Sequence, residues 1–229
     1  MLKMRTIVMS LGGSIIIPDN VNYEFLDKFK DLIRKLSKNF RFVIVVGGGS
    51  TARKYINPLI KEGISQKTAC LIGIGITRLN ARFMLNFFGD SAAKHLPSSM
   101  KELKNMIKKD RIVFTGGLKF IPNNTSDGTA AQIASYLETD LINMTNVKGL
   151  YTKDPNKYSD AKLIKEIGFE EFDRIVRKIK YSAGQHFVLD QNASRIIKKE
   201  RIKTMIIGDD IENLENLLAG KKFIGTVIS

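Results

Sequence analysis

Short apolar runs alternate with amphipathic stretches along most of this chain. Five runs of four to six residues have the composition of buried strands: 6–11, 42–46, 112–115, 141–144 and 204–207. Apolar residues at helical spacing in 25–36 predict a first helix, and further helices are expected at 52–61, 78–88, 99–109, 128–137, 169–179, 193–199 and 211–219. This alternation predicts a mostly parallel sheet with helices on both faces, that is, a three-layer α/β/α sandwich.

The length of the chain favours one domain. Its 229 residues, 43% of them hydrophobic, can bury one sizeable core, so we expect a single domain over 1–229. The strand pattern weakens after Lys148, which permits two lobes, at about 1–140 and 141–229. The stretch 146–162 contains several turn residues and is expected to be a long exposed loop, which is uncommon unless functional.

Composition restricts the function further. Lys and Arg outnumber Asp and Glu by 37 to 23, but the basic residues are spread over helix faces, which favours solvated faces over a nucleic-acid surface. Cys70 is the only cysteine, and His95 and His186 lack metal-ligand spacing, so neither a disulfide nor a metal cluster is expected. No run approaches the roughly 20 apolar residues of a membrane helix, and no signal peptide is evident. We expect a cytoplasmic protein.

Three glycine clusters follow directly after predicted strands, at 12–14, 47–50 and 116–117. Ligands of open α/β sheets bind at this end of the strands. Glycine lets backbone N–H groups approach phosphate oxygens, and the positive end of a following helix favours the same charge. Three clusters indicate more than one phosphate-bearing ligand. No P-loop or dinucleotide-binding glycine motif is present, which disfavours a Walker-type NTPase and a dehydrogenase.

Other polar residues lie close to these clusters in the sequence. Arg53 follows the triple glycine and could bind a phosphate, or be an ordinary surface arginine; Arg78 is expected to open the next helix. The polar loop 123–128 precedes a helix, and its Ser126 or Asp127 is the expected N-cap. Capping alone does not explain a whole polar loop that ends in a carboxylate.

The clusters together resemble the amino acid kinase family, and within it the uridylate kinases of archaea. The resemblance covers nearly the whole chain and is most specific at 45–55, 72–81 and 145–155. The second of these stretches separates uridylate kinases from their relatives. A similar isopentenyl phosphate kinase would have a histidine soon after the triple glycine, where this chain has Arg53 and Lys54.

The resemblance implies ATP-dependent phosphorylation of UMP and a role for each matching residue. The implied catalytic residues are Asp127, which organises the site, Arg53 and Ser14. The N-terminal lobe would hold UMP and the C-terminal lobe ATP. ATP is implied to contact Gly13, Ser14, Gly49, Arg53, Thr145, Asn146, Tyr151 and Asp154. UMP is implied to contact Gly48, Cys70, Leu118, Asn123, Asn124, Thr125 and Ser126. Mg²⁺ would be bound mainly through ATP rather than by a protein metal site, and a homohexamer built from dimers is implied.

Four features depart from the family pattern. Ser10 stands where many members have a lysine, which leaves Lys153 and Lys180 as candidates for the missing cation. Cys70 replaces an aspartate that contacts the acceptor nucleoside, Lys148 replaces a common aspartate, and the loop 118–126 looks two residues longer than usual. Two alternatives therefore stay open: a phosphotransferase of the same fold with another acceptor, and a non-catalytic relative that binds nucleotides or nucleic acid.

Overall fold

A single seven-stranded sheet forms the centre of the molecule. The computed structural model describes residues 4–118, 125–178 and 188–229. In sheet order, the strands are β3 (Ile112–Thr115), β2 (Phe40–Val46), β1 (Arg5–Leu11), β4 (Leu141–Met144), β6 (Thr204–Ile207), β7 (Thr226–Ile228) and β5 (Glu166–Ile167). The five predicted strands are confirmed. Strands β5 and β7 were not predicted, because two or three residues are too short to show a pattern.

The direction of the strands determines where their ends lie. β1 pairs in parallel with β2 and β4, β2 with β3, and β4 with β6. Only at the β6–β7 pair is the direction reversed. The carboxyl ends of β1, β2, β3, β4 and β6 therefore lie at one edge of the sheet, which we call the carboxyl edge.

Helices cover both faces of the sheet, so the predicted three-layer α/β/α sandwich is confirmed. Alternate residues of β1 enter two separate cores: Ile7, Met9 and Leu11 pack with one set of helices, and Val8 packs with the other. The first core includes α1 (Gly13–Ile16), α2 (Tyr23–Leu36), α4 (Gln66–Phe88) and α9 (Ile211–Leu218). The second includes α5 (Met100–Lys109), α6 (Ser126–Leu137), α7 (Phe169–Lys178) and α8 (Gln191–Glu200). Helix α3 (Gly49–Lys61) packs on α4.

Two predictions about helix starts were wrong. Helix α4 begins at Gln66, so Arg78 lies in its interior and does not open it. Ser65 caps this helix by accepting a hydrogen bond from the Thr68 N–H, and Gly73 gives room for Ile56 of α3. Helix α6 is capped by Thr125, not by Ser126 or Asp127, because the Thr125 side chain accepts the Asp127 N–H. The long loop is confirmed, since 146–162 contains no helix and only the isolated bridge of Tyr151 with Leu163.

Candidate phosphate-binding site at the carboxyl edge

The first two glycine turns meet at the carboxyl edge. Gly47 donates its N–H to the Leu11 carbonyl at 2.9 Å, as the parallel pairing of β1 and β2 continues into the turns. A Cβ at Gly13 would lie 2.5 Å from the Gly47 carbonyl oxygen, and a Cβ at Gly49 would lie 2.7 Å from the Ser14 nitrogen. Gly49 also has a φ of +60°, which favours glycine. Only bare backbone fits where these turns cross.

The third glycine turn packs against the middle of α4. Gly117 donates its N–H to the Thr77 hydroxyl at 2.9 Å, and a Cβ at Gly116 would lie 2.6 Å from the Arg78 nitrogen. Thr77 also lies beside Gly48 of the second turn. Helix α4 therefore joins the second and third turns. The prediction that all three clusters lie at one edge of the sheet is confirmed.

A buried amide holds the second turn in place. Asn80 on α4 is 3% exposed, and its Nδ2 donates to the Gly47 carbonyl at 2.9 Å. Asn80 lies in the stretch 72–81, where the resemblance to the family is specific, but the sequence does not predict its contact with Gly47. Arg78 donates to the carbonyls of Pro97 at 3.1 Å and Gly117 at 3.4 Å. Its guanidinium thus already has backbone partners.

Asp127 lies beside the end of β1, which leads into the first glycine turn. The Ser10 hydroxyl of β1 donates to Asp127 Oδ1 at 2.6 Å, so serine occupies the position next to this carboxylate where the family often has lysine. A Cβ at Gly47 would lie 3.3 Å from the hydroxyl oxygen of neighbouring Ser126. The beginning of α6 is therefore in contact with the second glycine turn.

The pKa of Asp127 is raised from its ordinary 3.8 to about 7. Burial is the largest cause, and the negative charge of Asp190 is the next; the hydrogen bond from Ser10 acts in the opposite direction. The residue as a whole is half-buried, and its carboxyl group lacks a cationic partner among residues 4–118, 125–178 and 188–229. The site thus concentrates negative charge where a cation would be favourable.

Asp190 is a site residue that the sequence did not reveal. It caps α8, and its other carboxylate oxygen accepts the Thr125 hydroxyl. The sequence predicted a helix that begins near 193, so an aspartate just before it signals only a helix cap. Its proximity to Asp127 depends on the packing of α8 against α6.

Four of the predicted ATP contacts lie in the loop that follows β4. Thr145 donates its N–H to the Ile207 carbonyl at 3.0 Å, and its Cα lies beside Gly12. Asn146 accepts from the Thr145 hydroxyl at 3.3 Å. Tyr151 and Asp154 lie farther along the loop, where Asp154 accepts the Asn156 N–H at 3.0 Å. Lys153, a candidate for the missing cation, instead pairs with Asp160 at 2.5 Å.

The remaining predicted residues lie around the glycine turns. Ser14 is in α1, and Arg53 is one turn into α3, where its guanidinium makes no hydrogen bond or ion pair with the described part of the chain. Cys70 lies two turns before Thr77 on the same face of α4, and burial raises the pKa of its thiol. Leu118 directly follows the third turn. Asn123, Asn124 and Lys180 lie outside the described residues.

The described residues contain no group of three or more His, Cys, Asp or Glu side chains that could hold a metal ion. None of their helices is both long enough and apolar enough to cross a membrane.

Comparison with known proteins gives consistent matches. The model of the amino acid kinase family matches residues 5–208. A uridylate kinase of Methanobrevibacter smithii is 35% identical over 225 residues, which cover 97% of this chain and 99% of that protein. A uridylate kinase of Thermoplasma volcanium is 37% identical over 225 residues, which cover 98% of this chain and 97% of that protein. The crystal structure of uridylate kinase from Archaeoglobus fulgidus matches with a TM-score of 0.83 and 34% identity, over 97% of this chain and 99% of that one.

Proposed function

This chain belongs to the amino acid kinase family, and from that premise we propose that it transfers the γ-phosphoryl group of ATP to UMP, forming ADP and UDP. The observation that carries the proposal is the crossing of two bare-backbone turns at the strand end where Ser10 contacts Asp127. UMP is the proposed acceptor because the relatives described above are named uridylate kinases.

The crossing turns support a site for two phosphate groups placed end to end. Because side chains are absent at Gly13 and Gly49, the two turns pack backbone against backbone, and α1, α3 and α6 begin at this edge with their positive ends, which would attract phosphate oxygens. We assign Gly13 and Ser14 to the phosphates of ATP and Gly48 to the phosphate of UMP. Gly49 and Arg53 then lie between them, beside the group in transfer.

The chemistry needs alignment more than proton transfer. An oxygen of the acceptor phosphate forms a bond to the γ-phosphorus, and the bond from that phosphorus to the β–γ bridging oxygen breaks, so that ADP leaves with the electron pair. A phosphate monoester has a second pKa of about 6 and is already a nucleophilic dianion at neutral pH, so no general base is required. Arg53 and the helix N-termini would stabilise the charge, while Asp127 would orient the cationic groups around the phosphoryl group.

Magnesium fits this site as a partner of ATP. The described residues offer no cluster of three acidic or imidazole ligands, so the ion would be held mainly by the nucleotide phosphates. When bound, it would neutralise part of the charge on the β- and γ-phosphates. Asp127, a carboxylate without a cationic partner among the described residues, would interact with the ion through its negative charge.

We assign the two nucleosides to opposite ends of the site. Cys70, Leu118 and residues 123–126 would surround uridine in an acceptor lobe of about 1–140. The nucleoside of ATP would contact Thr145, Asn146, Tyr151 and Asp154 in a donor lobe of about 141–229. Burial raises the pKa of the Cys70 thiol, so it would meet the acceptor as a neutral group and not as the negative charge of an aspartate.

The proposal extends to a homo-oligomer in the cytoplasm. Helices α3 and α4 pack together and expose five large apolar side chains, and the turn between them exposes a sixth, Ile64; the five are Tyr55, Ile60, Leu71, Ile72 and Leu79. The side chain of Leu79, for example, is 60% exposed. Such a concentration on two adjacent helices favours burial against a second copy of the chain, and a hexamer built from dimers is the assembly we propose.

An acceptor screen tests the proposed reaction. ADP release is measured with ATP, Mg²⁺ and each of UMP, CMP, dUMP, acetylglutamate and isopentenyl phosphate, and UMP should give the highest kcat/KM. The Asp127→Asn variant, purified in the same way, controls for contaminating kinases. Turnover of another acceptor without turnover of UMP would refute the substrate assignment. Binding of nucleotides with no transfer to any acceptor would favour the non-catalytic alternative.

A further inference from the structure

We propose that Asp190 is a positioning residue for the transfer reaction: its carboxylate holds Thr125, and Thr125 in turn holds the start of α6 so that Asp127 points at Ser10. This inference rests on the proposed function of the same site. It assigns a role to a residue that neither the motifs nor the glycine turns include.

The Thr125 hydroxyl is the link between the two aspartates. It donates its single proton to Asp190 Oδ2, and its oxygen accepts the Asp127 N–H at 3.1 Å. Because the proton is directed at Asp190, the oxygen lone pairs are directed at the backbone of α6. The Asp127 side chain then reaches Ser10 at 2.6 Å. The orientation of Asp127 therefore depends on an acceptor that lies 65 residues from Thr125 in the sequence.

Asp190 is itself firmly anchored. Its Oδ1 accepts the N–H groups of Asn192 at 2.7 Å and Ala193 at 2.9 Å, at the beginning of α8. Two residues earlier, the Val188 carbonyl accepts a hydrogen bond from Asn143 on β4, which is 2% exposed. Both carboxylate oxygens of Asp190 are thus used, one to cap α8 and one to hold Thr125. The central sheet fixes the segment that carries them.

Asp190 also acts on Asp127 through its charge. Of the charged residues in the described chain, Asp190 is the one that raises the pKa of Asp127. The other charged groups on the elements that pack against α6 do not pair with Asp127. Arg5 of β1 pairs with Asp140, and Arg41 of β2 lies opposite Thr6, near the start of the strands and away from Ser10. On α5, Lys104 lies over Tyr136, Glu102 accepts from Ser98, and Lys101, Lys108 and Lys109 are exposed. On α8, Lys198 pairs with Asp173, Lys199 pairs with Glu200, and Arg195 is exposed.

Two substitutions separate the hydrogen bond from the charge. Asp190→Asn keeps a good N-cap for α8 but removes the negative charge beside Asp127. Thr125→Val keeps that charge but removes the hydroxyl link, and Thr125→Ser restores the hydroxyl. Thermal melting of each variant verifies that it is folded before its kinetics are compared.

The decisive measurement is the pH dependence of kcat with saturating ATP and UMP. If Asp127 must be ionised for transfer, kcat falls as the pH is lowered through the pKa of Asp127; we call this part of the pH profile the acid limb. Asp190→Asn should lower the pKa of Asp127 and therefore move the acid limb to lower pH. Thr125→Val should lower kcat by roughly tenfold or more, as for loss of a hydrogen bond to a charged group, with little change in the KM for ATP. Thr125→Ser should recover most of the loss. If Asp190 only caps α8, the Asp190→Asn variant will keep the kcat of the parent and the same acid limb. That result would overturn the proposal.

A second readout does not depend on turnover. Carboxyl ¹³C NMR titration of the protein without nucleotides, with Asp127→Asn for assignment, measures the pKa of Asp127 directly. That pKa should fall in Asp190→Asn and change less in Thr125→Ser. An unchanged pKa in Asp190→Asn refutes the electrostatic coupling even if UMP is turned over. If the parent protein shows the coupling but no kinase activity, the proposed function fails and the link between the aspartates stands.

Discussion

Replacing Asp127 by asparagine should remove most of the activity and yet stabilise the folded protein. The pKa of this carboxyl group is raised from 3.8 to about 7, mainly by burial and by Asp190. Each unit of pKa shift corresponds to about 1.36 kcal/mol, so the ionised carboxylate destabilises the fold by about 4 kcal/mol at most. Between pH 3.8 and about 7 the folded protein binds the proton more tightly than the unfolded chain does. The contribution of Asp127 to stability is therefore fully present below pH 3.8 and is lost as the pH rises through about 7.

Asparagine has nearly the same shape and carries no charge. The Ser10 hydroxyl can still donate to the amide oxygen, so the packing of α6 should survive. We expect the free energy of unfolding to rise by up to about 4 kcal/mol near pH 8, with a smaller gain near pH 5, where the folded parent keeps Asp127 protonated. We expect kcat to fall by roughly 100-fold or more, because a neutral amide cannot organise the same cations. The Kd for ATP should change much less.

Urea unfolding at several pH values measures the stability of both proteins. The protein concentration must be fixed and nucleotides omitted, since ligand binding and oligomerisation both shift apparent stability. Calorimetric titration gives the Kd for ATP, and ADP release gives kcat. If Asp127→Asn were less stable than the parent near pH 8, or lost ATP affinity as much as turnover, Asp127 would be a structural residue and the reasoning above would be wrong.

Three further substitutions test how the surrounding structure supports the site. Gly13→Ala would place a Cβ 2.5 Å from the Gly47 carbonyl and should reduce kcat by at least roughly tenfold in the ADP-release assay, whereas Gly168→Ala, with open space around it, should not. Asn80→Leu removes the bond to Gly47 and leaves that carbonyl unpaired, so urea unfolding should show a loss of about 1–3 kcal/mol, with reduced kcat. Burial acts to raise the pKa of Asp173, but hydrogen bonds from Lys198, Ser194 and Arg177 lower it overall. Asp173→Asn should therefore lower the free energy of unfolding at pH 7, measured by urea unfolding. The difference from the parent protein should shrink as the pH falls through the acid range, where Asp173 becomes protonated.

Local patterns predicted the central part of the fold correctly. Five strands, the alternation with helices and the position of each glycine cluster after a strand could all be identified from neighbouring residues, because buried strands and amphipathic helices each have a characteristic spacing. The starts of α4 and α6 were misplaced. Glycine disfavours helix, so Gly73 argues against a helix at that position; in the structure it makes room for Ile56 of α3. Before α6, several consecutive polar residues could each have capped the helix.

The sequence by itself determined that the bare-backbone turns would lie at one edge of a parallel sheet, because each turn follows a strand and the carboxyl ends of parallel strands share one edge. Only the tertiary structure decided which side chains surround them. Ser10 meets Asp127 across 117 residues, and Thr125 meets Asp190 across 65. Contacts over such separations depend on how whole helices pack, and no local spacing in the chain records them. For that reason the sequence identified Asp127 as a candidate site residue. It did not identify Ser10, Thr125 and Asp190 as the residues that affect the pKa and orientation of its carboxylate.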